Sequence, residues 1–159
     1  MTPGNWFNEE GITMSDVLNG RPTTNFWIIG GAGLVWNLIG LLFYVSEVTA
    51  TPDAMAASFS QAQIDFLMGK PVWATAAFAI AVNAGALGSL FLLLRKAWAV
   101  PMFVLSLVGV LVQNVHAFGL ANGLEVWGTN SLFLPALVVI ISLALLLYSH
   151  STKKRGWIN

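Results

Sequence analysis

Residues Ala99–Leu120 read AVPMFVLSLVGVLVQNVHAFGL, an apolar run of membrane-spanning length that nevertheless carries Gln113, Asn114 and His116. Wound at about 100° per residue, Met102, Ser106, Gly109, Gln113, His116 and Leu120 fall on one narrow stripe, alternately three and four apart, with Asn114 on its flank. A polar side chain in hydrocarbon is unfavourable unless it meets protein or water. The stripe is therefore expected to point into a helix bundle, with the other segments arranged around it.

The rest of the chain is of the same kind. Of 159 residues, 57% are hydrophobic and 9% charged, and the mean hydropathy is +0.74, too little polar surface to cover a soluble globule of this size. Four apolar runs, at about 26–45, 72–94, 99–120 and 132–148, predict an all-α integral membrane protein. Its four-helix transmembrane domain would occupy residues 26–149, between a polar N-terminal tail (1–25) and a short basic tail (150–159). The absence of cysteine excludes disulfides, thiolate catalysis and Cys-ligated zinc or iron–sulfur sites. A net charge of zero, with no basic run interleaved with aromatics, gives no sign of a nucleic-acid partner.

Each segment carries its own signals. Residues 1–25 lack the basic start and apolar stretch of a cleaved signal peptide; Trp6, Phe7, Ile12, Met14, Val17 and Leu18 suit either a membrane-surface helix or a loosely ordered tail. In the first span, with Thr24 or Asn25 as N-cap, Phe26, Gly30, Gly33, Asn37, Gly40, Tyr44 and Glu47 repeat the three-four spacing and give a small and polar face. Residues 46–70 read as an excursion with two short helices, one capped by Thr51 before Pro52 and one by a Ser60/Gln63 capping box that stops at Gly69, the second lying as a lid over the bundle mouth. The second span has Asn83 near its middle, and the small-residue face Ala77, Ala81, Gly85 and Gly88 is expected to pack against a second copy in a homo-oligomer. Residues 95–98 form a short turn, Gly128–Thr129–Asn130–Ser131 is expected to cap the fourth span, and that span is expected to be the most lipid-exposed.

Six of the seven basic residues, Arg21, Arg95, Lys96, Lys153, Lys154 and Arg155, fall on one side of the four spans, and Lys70 alone on the other. Short basic loops stay in the cytoplasm, so both termini are expected there. That arrangement places Asn37 and Asn83 near the midplane, and Gln113 and His116 roughly 6 and 10 Å outward from their helix centre at 1.5 Å per residue. Asn37, Tyr44, Asn83, Gln113 and His116 are thus the candidate ligand-binding residues, beneath the long first loop, with Trp36, Trp73 and Trp127 able to supply rings for a hydroxyl-rich solute. The competing reading is that the amides only fasten helix to helix; for His116 a proton-linked partnership with Glu47 is a further option. No nucleophile–base pair, carboxylate dyad, metal-ligand cluster or phosphate loop occurs, so neither catalysis nor a cofactor is expected, and haem would lack a second axial ligand to His116.

Four stretches also carry a resemblance: Val35–Trp36–Asn37–Leu38–Ile39–Gly40, Lys70–Pro71–Val72–Trp73–Ala74–Thr75–Ala76–Ala77–Phe78–Ala79, Leu93–Leu94–Arg95–Lys96, and the run from Leu105 to Gln113. Over most of residues 26–158 the chain resembles small four-span bacterial inner-membrane proteins commonly labelled "sugar transporter". The resemblance implies a multi-pass bacterial inner-membrane protein and a small polar solute, such as a sugar. The functional expectation is a homo-oligomer that binds or transports such a solute, the alternative being a non-transporting accessory or scaffold subunit of a membrane complex.

Overall fold

The computed structural model describes residues 22–159, so Arg21 and the tail's apolar residues from Trp6 to Leu18 lie outside the described residues. The protein is an all-α membrane protein whose four longest helices are long and apolar enough to span a bilayer. Helix α1 is Thr24–Thr49, α2 Pro52–Met55, α3 Gln61–Met68 and α4 Val72–Leu93. Helix α5, Ala99–Asn114, continues into a π-helical turn, Val115–Leu120. Helix α6 is Gly123–Trp127, and a 3-10 turn, Thr129–Leu132, leads into α7, Phe133–Lys154.

Local chemistry accounts for the loop helices as the spacing predicted. Thr51 accepts the amide of Ala54 ahead of α2, and Ser60 and Gln63 close a reciprocal capping box at the start of α3. The span ends differ from expectation. Helix α1 is preceded by Thr23 with no side-chain cap, and its helix runs on to Thr49. Ser131 turns its hydroxyl onto the Gly128 carbonyl at 2.6 Å, and α7 begins after Leu132 without a side-chain cap.

The second span, α4, is the centre of the bundle: 44% of its apolar stretch is buried, against 28% for the third span, 11% for the first and 6% for the fourth. Its face Ala77, Ala81, Gly85 and Gly88, expected to meet a second copy, is instead filled from within the chain. A Cβ added at Gly109 of α5 would lie 2.7 Å from the Ala77 carbonyl oxygen and 2.9 Å from the Ala81 nitrogen, so the two backbones touch there. Gly88 receives the Phe103 ring, 3.0 Å from where its Cβ would be. Ser106 completes the seam by donating to the Ala81 carbonyl at 2.7 Å.

The first span joins through the stripe that its sequence announced. Phe26, Gly30 and Gly33 are buried, and Asn37, Gly40, Tyr44 and Glu47 half-buried. Gly30 faces Leu93; Gly33 faces both Leu145 of α7 and Ser89 of α4, which brings the first, second and fourth spans to one level.

The end that carries Arg95, here the basic end, is closed by residues 156–159, part of the segment expected to form a short basic tail. Gly156, at φ 69°, reverses the chain after α7, and Trp157 and Ile158 enter the core beside Phe26, Leu92, Ala99 and Phe103. Arg95, at φ 58°, holds them: its Nε donates to the Trp157 carbonyl at 2.8 Å and its own carbonyl accepts the Asn159 amide at 3.0 Å. These bonds offset the cost of a left-handed arginine.

Two substitutions check the packing. Gly109→Ala should lower the melting temperature of the detergent-solubilised protein, because overpacking against backbone costs about 1–3 kcal/mol, whereas Gly31→Ala, with nothing within 4 Å of the new methyl, should leave it unchanged. Trp157→Ala should also melt lower, with a loss of order 3–5 kcal/mol expected for emptying a buried indole site.

Candidate functional site

The five candidate ligand-binding residues are not brought together; the structure places them in separate surroundings. Asn37 fastens helices: its Nδ2 donates to the Gly33 carbonyl at 2.8 Å and to Ser89 Oγ at 3.3 Å, against Gly85 of α4. Tyr44 packs edge-on to Phe78, ring centres 5.5 Å apart. Asn83 faces out of the bundle, donating to the Ala79 carbonyl of its own helix at 2.8 Å. It shares a helix with the glycine face but lies on the opposite side.

His116 is buried, 6% exposed, with its ring edge-on to Trp73 at 5.2 Å, and its Nδ1 has no hydrogen-bond partner. Gln113 sits elsewhere, on a cavity. Three residues along a helix leave two side chains about 60° apart. The optional His116–Glu47 partnership is not formed among the described residues; Glu47 is ion-paired with Lys70.

That ion pair marks a place where several polar side chains converge on open space. At the end of the bundle that carries residues 46–71, the loop end, a cavity of about 470 Å³ lies between the ends of the first and second spans and the third and fourth. Glu47, Lys70, Gln113, Asn130 and Ser131 supply its polar groups, and Phe66 and Trp127 are among its aromatic walls. The Lys70 side chain is 7% exposed and that of Glu47 22%, so the charges are held between the helix ends. Lys70 also lies 5.7 Å from the centre of the Phe78 ring.

The roof is aromatic. Trp127 of α6 meets Phe59 at 5.7 Å and Phe66 of α3 at 6.2 Å, both edge-on, and so ties the first loop to the third. The lid expected over the bundle mouth thus has a specific latch. Sequence reasoning named Gln113 and Trp127 but missed Lys70, Asn130 and Ser131 as lining residues. Lys70 carried a usable signal: it is the lone base on the side of the acidic Glu47, Asp53, Asp65 and Glu125.

No group of three or more His, Asp or Glu side chains that could hold a metal ion occurs among the described residues. The set that does converge, one carboxylate, one ammonium, two amides and a hydroxyl beside aromatic rings, can donate to and accept from a neutral polyhydroxylated molecule. It contains no activated nucleophile.

No family model, curated protein or solved structure matches this chain.

Breaking the ion pair from one side leaves a charge among helix ends. Glu47→Gln and Lys70→Met should each lower the melting temperature, and the double variant should lose less than the sum. Thermal melts of the four proteins should give a coupling of about 0.5–3 kcal/mol; strict additivity would show that the pair contributes nothing.

Proposed function

We propose that this chain is a multi-pass bacterial inner-membrane protein, its basic end cytoplasmic, that binds a small polar solute such as a sugar in the loop-end cavity and transports it as a homo-oligomer. The observation that carries the reading is the lining of that cavity. Its volume of about 470 Å³ falls within the roughly 300–1,000 Å³ usual for small-molecule sites. Glu47, Gln113, Asn130 and Ser131 offer acceptors and donors, Lys70 a further donor, and Trp127 and Phe66 flat apolar surfaces for the faces of a sugar ring. Charge asymmetry supports the orientation: among the described residues Arg95, Lys96, Lys153, Lys154 and Arg155 share the basic end, and Lys70 is the one base at the other. The cavity then opens away from the cytoplasm.

Asn37 supports the second reading, a non-transporting accessory or scaffold subunit. Its amide is consumed by Gly33 and Ser89, as expected where intramembrane amides only fasten helices.

Thermal stabilisation by a panel of neutral sugars and polyols separates the two. Ligand at 100 times its Kd stabilises the folded state by about 2.7 kcal/mol, so a bound solute should raise the melting temperature of the parent. The shift should vanish in Gln113→Leu and persist in Asn37→Leu, although the latter melts lower throughout. If no solute shifts the parent, the transport reading fails and the scaffold reading stands.

A further inference from the structure

Asn83 is exposed at the centre of a membrane span. It lies eleven residues after Val72 and ten before Leu93, at the level where hydrocarbon offers no hydrogen-bond partner. One of its amide protons goes to the Ala79 carbonyl. Its carbonyl oxygen and second amide proton have no partner among the described residues.

The residues around it form a pattern. Trp73, Ala76, Ile80, Asn83, Leu87 and Leu90 are all exposed and alternate three and four apart, the spacing of a helix–helix seam, with the amide at its middle. Ala79 and Ala86 on either flank of Asn83 are small enough to let another helix approach. Beside the seam runs an apolar groove of about 320 Å³ between the second and third spans, lined by Trp73, Ala76 and Ile80 from one and Leu105, Val108 and Val112 from the other. The face is therefore a ridge with a socket next to it.

We infer that this face is where a second copy of the chain docks, the two Asn83 side chains hydrogen-bonding to each other across a two-fold axis. The amide decides the occupant. Lipid tails cannot satisfy it, whereas an identical amide presents a donor and an acceptor in the complementary order, which an isologous contact requires. The ridge residues of one copy then fill the groove of the other. The proposal rests on the homo-oligomer part of the reading above and is independent of its solute part. It moves the contact from the Ala77 face, which is occupied within the chain, to the opposite side of the same helix.

The chain contains no cysteine, so single cysteines report cleanly. Leu87→Cys on the seam should give a disulfide-linked species of twice the 17.1 kDa chain mass in native membranes under mild oxidation. Ile140→Cys, on the lipid-exposed face of the fourth span, should stay monomeric. In mild detergent, Asn83→Leu should weaken self-association by roughly fivefold or more, the effect of losing an interhelical amide bond, and Asn83→Gln should retain it. Equal crosslinking of Leu87→Cys and Ile140→Cys, an adduct of any mass other than twice the chain, or undiminished association of Asn83→Leu would overturn the proposal. The solute-dependent thermal shift, measured on Asn83→Leu alongside, should be unchanged, so failure of the interface is distinguishable from failure of the solute reading.

Discussion

The close approach of the second and third spans, backbone to backbone at Gly109, is the constraint on which the rest of the structure depends. Helices in lipid gain no hydrophobic free energy by meeting, so contact must come from dispersion between well-fitted surfaces and from hydrogen bonds that have no competing water. Gly109 against Ala77 and Ala81, Gly88 against Phe103, and the Ser106 hydroxyl on the Ala81 carbonyl supply both along one seam. Once α4 is held there, Gly85 stands where the first span can lay Asn37 over it, and Ser89 takes the amide. The fourth span packs chiefly along the third, touches the first where Leu145 meets Gly33, and is the least buried of the four.

The two ends of this bundle are built oppositely. At the basic end Trp157 and Ile158 complete an apolar core under the Arg95 turn. At the loop end a cavity is lined by Glu47, Lys70, Gln113, Asn130 and Ser131. Charged groups belong near that interface, where water can reach them through the open side.

The sequence announced the four spans, the loop helices and the inward stripe of α1 because each rests on local spacing: glycines three and four apart, Ser60 with Gln63, Thr51 before Pro52. It could not rank faces. Asn37 and Asn83 are both mid-span amides, and α4 carries small residues on two sides, so which side packed inward depended on where Gly109 arrived from α5. Residues 156–159 were illegible for a related reason. Their fold-back depends on Arg95, 62 residues distant from Trp157, and nothing local distinguishes a buried Trp157 from an interfacial one. Gln113 and His116 share one stripe in the sequence, yet an offset of about 60° is enough for Gln113 to line the cavity while His116 packs against Trp73.

The claim that the bundle is hollow at the loop end and sealed below is tested most directly by solvent access to single cysteines in intact membranes. Gln113 lines the cavity, and Ser106, seven residues and about 10 Å further toward the basic end, is buried in the α4–α5 seam. With a membrane-impermeant maleimide added from the loop side, Gln113→Cys should be labelled and Ser106→Cys should remain unlabelled until the protein is denatured. A protected Gln113→Cys, or one labelled equally well from the basic side, would contradict the account.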